Sequence, residues 1–145
     1  MKSKKYLGML GIGCAALLLT GCGSGKQLKC EMDMSDELAG LGTMKMELII
    51  DYDKNGETAE KATMKMEIDI TTTEVEVTDE QMDSLEKSLE KNCEEEDFDS
   101  CTVKRDGKKV TLTATSSKPE DVEASANRTY EEAKKELTEE GYTCK

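Results

Sequence analysis

The sequence predicts an α+β fold: one antiparallel sheet of about five strands, in the order βββαββα, with the helices on one face. Three observations predict it. Apolar residues alternate with polar ones through 28–34, 44–52 and 64–70, and the repeating apolar positions are all even-numbered. Twice this alternation gives way to helical spacing, each time behind a capping box, Thr78 with Gln81 and Thr129 with Glu132. Turn sequences, Asp53-Lys54-Asn55-Gly56 and Asp106-Gly107, separate the strand pairs.

The first strand is carried by Leu28, Cys30, Met32 and Met34, and 35–42 reads as a loop. Thr43-Met44-Lys45-Met46-Glu47 then recurs as Thr63-Met64-Lys65-Met66-Glu67. Two copies are too few for a repeat array; they fit two similar strands joined by a turn. Met44, Met46, Leu48, Ile50 and Tyr52 share one face of the first, and Met64, Met66, Ile68 and Ile70 one face of the second.

The register of this pair follows from its faces. Directly opposed residues of an antiparallel pair lie on the same face, so opposed residue numbers must sum to an even value here. A two-residue Asn55-Gly56 hairpin would set apolar residues against polar ones, so a three- or five-residue connection or a bulge is required. A sum of 110 opposes Lys45 to Lys65. A sum of 112 opposes Asp51 to Lys61, Glu47 to Lys65 and Lys45 to Glu67, each pair contributing about 0.2–1 kcal/mol. The expected register is 112.

After the Thr78 box, Met82, Leu85, Leu89 and Cys93 form one narrow helical stripe. Acids from Glu94 to Asp97 oppose the dipole at a helix C-terminus, so the helix is expected to stop near Cys93. Segments 101–104 and 109–115 form a second hairpin with Val103, Val110, Leu112 and Ala114 inward. Ser117, Pro119 and Glu120 open a short helical turn. Tyr130, Ala133 and Leu137 line the last helix, Gly141 ends it, and 142–144 is a tail. The core is rich in Met and poor in aromatics, hence adaptable but weakly specifying.

The chain start has its own layout. Lys2, Lys4 and Lys5 precede an apolar or small-residue run over 6–20, ending in Leu19-Thr20-Gly21-Cys22. This is a secretory leader, too short to be a comfortable membrane span. Its ending resembles the bacterial lipoprotein signal, which implies cleavage before Cys22 and acylation of that thiol. The expected organisation is a leader over 1–21, the lipidated Cys22 with a short linker over 22–26, and one domain over 27–145. A single acyl chain binds membranes marginally; the resemblance implies a multiply acylated Cys22 and stable anchoring on the extracytoplasmic face of the cell membrane.

Net charge is −12 for the chain, and the leader holds three lysines and no acid, so the remainder carries −15. Such a domain does not hold nucleic acid through its phosphates and is repelled by anionic lipid. Lipid is therefore the expected membrane contact, and an envelope protein is the remaining partner class. Cys30, Cys93, Cys101 and Cys144 remain after Cys14 and Cys22 are set aside. Four thiols in an oxidising compartment allow three pairings. The favoured one joins Cys93 to Cys101, closing a short loop, and Cys30 to Cys144, tying the first strand to the tail.

Few residues suggest chemistry. Asp51, Asp53 and Asn55, with Gly56, match the opening of an EF-hand calcium loop, but its twelfth position is Ala62 instead of a bidentate acid and its flanks read as strands. Glu94, Glu95, Glu96, Asp97 and Asp99 make a dense acidic loop able to attract cations, although most such runs are solvated faces. There is no His and no Cys-x-x-Cys pair, so His general bases, triads and thiolate metal sites lack their parts. No Gly-rich phosphate loop appears. The expectation is a non-enzymatic module with no cofactor and no dedicated metal site. The alternative is a ligand- or divalent-cation-capturing module using the acidic loop or the exposed sheet face.

Several segments together resemble the YehR-type bacterial lipoproteins. They are the leader, Gln27-Leu28-Lys29-Cys30, the Met/Lys-rich hairpin and Gly107-Lys108-Lys109-Val110-Thr111-Leu112-Thr113-Ala114. The stretch from Tyr130 to Leu137 into Glu140-Gly141-Tyr142-Thr143-Cys144 completes the set. The resemblance implies an envelope location and an α+β domain, and carries no catalytic residues.

Overall fold

Alternation and turn chemistry build a six-stranded antiparallel sheet in the computed structural model, which describes residues 25–71, 76–118 and 128–145. The elements are β1 (Gln27–Asp33), a 3₁₀ turn (Ser35–Leu38), β2 (Thr43–Tyr52), β3 (Ala59–Asp69), α1 (Asp79–Glu95), β4 (Ser100–Asp106), β5 (Lys109–Ser116), α2 (Tyr130–Glu139) and β6 (Thr143–Cys144). Their order across the sheet is β4-β5-β3-β2-β1-β6. The sheet has one strand more than expected because the tail, β6, pairs with the outer edge of β1. The leader 1–21, Cys22 and the segment holding Pro119 and Glu120 lie outside the described residues, while Ser117 is a bend.

β2 and β3 pair in the 112 register: Lys45 faces Glu67, Glu47 faces Lys65 and Asp51 faces Lys61. The register shifts at Asp51/Tyr52, where Tyr52 faces Ala59, so the required irregularity is a bulge beside the turn. The turn over 53–58 is closed by Asp53 N–H donating to the Thr58 carbonyl at 2.9 Å. Gly56 takes φ 73°, a conformation glycine adopts without strain. Its carbonyl accepts from Tyr130 N–H at 2.8 Å, docking this turn on the start of α2.

Both capping boxes form, with Thr78 and Gln81, and Thr129 and Glu132, bonding each other reciprocally. Helix α2 ends in a Schellman motif: Tyr142 N–H reaches the Leu137 carbonyl, Gly141 N–H reaches that of Thr138, and Gly141 has φ 102°. Helix α1 runs to Glu95, two residues past the expected stop. Lys91 pairs with Glu95 at 3.4 Å one turn away, which offsets the unfavourable end charge.

Both helices lie on the even face of the sheet. The core there is Leu28, Cys30, Leu48, Ile50 and Tyr52 against Ala133 and Leu137 of α2. Met82 of α1 is fully buried, with Val110, Leu112 and Ala114 buried along β5. Helix α1 packs on β4 and β5, and α2 on β1 and β6. Each helix thus covers an edge region, and the middle strands lie between them. Gly25 and Lys26, expected in the linker, are already seated on the sheet: the Lys26 carbonyl accepts from Tyr52 N–H at 2.8 Å. No helix among the described residues is long and apolar enough to cross a membrane.

Candidate functional site

The four downstream cysteines pair as Cys30–Cys144 and Cys93–Cys101. The first is a cross-strand bridge between facing residues of β1 and β6, flanked by reciprocal backbone bonds between Lys29 and Lys145. The second joins the last turn of α1 to the start of β4.

The acidic residues are distributed among structural tasks. Asp51 Oδ1 accepts from Gln27 Nε2 at 2.8 Å, and Asp51 faces Lys61 within the sheet. Asp53 Oδ1 accepts from Glu57 N–H at 2.9 Å, and backbone donors hold its carboxyl below the usual range. Asn55 is exposed at the turn, and the EF-hand's final position, Ala62, is buried in β3. The calcium-loop spacing is thus absorbed by a hairpin.

The acidic loop is also divided. Glu94 and Glu95 belong to α1 and Glu96 caps it. Asp97 pairs with Lys118 at 3.0 Å. Asp99 accepts from the Ser117 backbone, and hydrogen bonds from the Ser117 side chain and then its backbone lower the Asp99 pKa. Among the described residues no group of three or more His, Cys, Asp or Glu side chains could hold a metal ion.

Arg105 plays a part that the sequence reading missed. It lies on the helix face of β4, its side chain only 16% exposed, and it pairs with Asp83 and, at 2.9 Å, with Asp79 of α1. Its Nε also donates to the Gly107 carbonyl at 2.9 Å. The available signal was the four-residue spacing of the two acids, which puts both on one side of a helix turn.

The odd-numbered face of the sheet is polar. Lys29 bridges Glu47 at 2.9 Å and Glu31 at 3.3 Å, and Lys109 bridges Glu67 at 3.0 Å. These hydrogen bonds, Glu47's first for Lys29, raise both lysine pKa values. A shallow hollow of about 370 Å³ is lined by Glu31, Asp33, Lys45, Glu47, Lys65, Glu67 and Thr143, with Met32 and Met46. Four carboxylates and two lysines line it, and the lysines stand opposite carboxylates across strands.

The even face has a different middle. Met32 of β1, Met46 of β2 and Met66 of β3 face one another in one straight row across three neighbouring strands. Met44 lies beside Ile68, and Met34 N–H donates to the Met44 carbonyl at 2.7 Å. Met64 lies beside Leu48. All six are only partly buried, while Leu48, Ile50, Ala62 and Ile68 on the same two strands are buried. The Tyr142 hydroxyl donates to Met46 Sδ at 3.3 Å. The alternation alone reads these residues as core; that they are only partly buried depends on which strands the helices cover.

No family model, no curated protein and no solved structure matches this chain.

Proposed function

We propose that this chain is a non-catalytic bacterial lipoprotein, held by an acylated Cys22 on the extracytoplasmic face of the cell membrane, whose α+β domain is a binding or structural module of the envelope. The observation that carries the reading is the pairing of Cys30 with Cys144 and Cys93 with Cys101. Disulfides persist in oxidising compartments and are rare in the cytosol. A lipoprotein leader delivers its domain to such a compartment. The YehR-type resemblance points the same way. Asp51, Asp53, Glu95, Asp97 and Asp99 of the two cation-loop candidates have structural partners, which favours this reading over divalent-cation capture.

Mass spectrometry of the mature N-terminus tests it. The expected species begins at Cys22 and carries acyl chains, and Cys22→Ser lacks that acyl mass. A chain that retains Met1, or one that begins at residue 22 without acylation, would overturn the anchor.

A further inference from the structure

Six of the seven methionines beyond Cys22 occur as three Met-x-Met pairs: Met32 and Met34, Met44 and Met46, Met64 and Met66. Alternation puts Met44 with Met46, and Met64 with Met66, on one face of their strands, and the register sets one methionine of each pair, Met32, Met46 and Met66, side by side. The seventh, Met82, is fully buried in α1. If methionine served here only as pliable filling, the buried positions of β2 and β3 would hold it too. They hold Leu48, Ile50, Tyr52, Ala62 and Ile68 instead. On these strands methionine is concentrated at partly buried positions of the helix-bearing face.

We propose that the Met32–Met46–Met66 row is a binding site for a soft monovalent metal ion, copper(I). Facing side chains on adjacent strands start about 4.5–5.5 Å apart at Cβ. A methionine side chain has three rotatable bonds beyond that point, so three sulfurs from one row can turn toward a common centre. Thioether sulfur is neutral and soft; it selects copper(I) over calcium or magnesium, which take oxygen ligands.

Compartment chemistry points the same way. An oxidising environment converts paired thiols to disulfides, and all four cysteines of the described residues are so paired. Thioethers form no disulfides and need no deprotonation, so they remain as the soft donors. The net −15 of the chain beyond the leader raises the local cation concentration. The hydrogen bond from Tyr142 to Met46 Sδ shows a sulfur lone pair already engaged by a donor at this surface. Tyr142 is a positioning residue for Met46 and does not ligate.

The proposal names the ligand of the binding module above, but it rests on the methionine row and not on the anchor. Silver(I) is a redox-inert probe of the same donor preference. In the purified full-length chain, the free thiols are first alkylated with the disulfides intact, and the methionine methyl groups are labelled with carbon-13. Silver(I) is expected to shift the methyl resonances of Met32, Met46 and Met66, to leave Met82 in place, and to saturate at a single ion per chain. Met46→Leu, close in volume and therefore expected to fold, should weaken binding about 10- to 100-fold, at least the loss seen for outer-shell partners of metal sites. Met66→Leu provides the second variant. Calcium and zinc should shift none of the three.

Unmoved row methyls, equal shifts at Met82, or undiminished affinity in both leucine variants would each overturn the site. So would shifts of the same methyls with protein concentration alone, which would mark the row as a contact between two copies. Failure here with acylated Cys22 present refutes the metal and leaves the anchor standing.

Discussion

Tyr52 is 1% exposed, stands edge-on to Tyr130 with ring centroids 5.9 Å apart, and among the described residues has no hydrogen-bond partner for its hydroxyl. Its inward position follows from its even number on β2; its orphaned hydroxyl depends on what the fold brings around it. Burial pushes its pKa up to about 12. A phenol whose folded pKa lies above its unfolded value binds more protons when folded, so stability falls as pH rises between about 10 and 12. The loss reaches about 2–3 kcal/mol at the top of that window. Tyr52→Phe is expected to remove this part of the alkaline loss. At neutral pH it should be neutral or stabilising by about 1 kcal/mol, because it deletes a buried unsatisfied group. Urea denaturation at pH 7 and pH 11.5 checks both; a Tyr52→Phe protein that loses stability at neutral pH and keeps the full alkaline loss would refute the assignment. At the acid end the sign reverses. Asp33, Asp53, Asp69 and Asp99 are held below the usual carboxylate range by hydrogen bonds. Their stabilisation is present above the ordinary Asp value and is lost as pH falls through their folded values.

Pairing rules act at the scale of an element, and there the sequence is most readable. The 112 register of β2 and β3 follows from parity of the apolar face and from placing opposite charges together. Both are nearest-neighbour effects that leave a mark in the sequence. Lys65→Glu therefore sets like charges against each other at Glu47 and should cost about 0.2–1 kcal/mol, with Lys65→Gln between it and the parent. Equal urea midpoints for all three would show that the pair contributes nothing. Capping boxes are legible for the same reason, since both partners sit within four residues. The end of α1 is less so. The dipole argument stops it near Cys93, whereas Lys91 and the disulfide to Cys101 hold it to Glu95. Parts of that support lie on another element.

Across the whole molecule, the two helices cover opposite edge regions of the same sheet face, and two bridges of very different span close the chain. Cys30–Cys144 spans 114 residues and Cys93–Cys101 only 8. If the bridges act mainly on the unfolded chain, removing the first should cost about 5 kcal/mol and removing the second about 2.5 kcal/mol. Paired Cys→Ala variants, unfolded in urea without reductant, measure both; a larger loss from the short loop would mean that local geometry, not chain entropy, dominates. The long bridge also holds the two-residue strand β6, which alternation alone could not distinguish from a tail.

The sequence alone determined the class of the fold, the register of its central hairpin and both helix starts. Each depends on periodicity, parity or residues that cap one another at short range. Tertiary structure decided that the tail is a sixth strand, that Arg105 anchors α1 and that the carboxylates of the acidic segments have separate tasks. It also decided that six methionines of the apolar face stay only partly buried. Those outcomes depend on which distant surfaces meet, and the position of a helix over a sheet is set by packing across the whole domain.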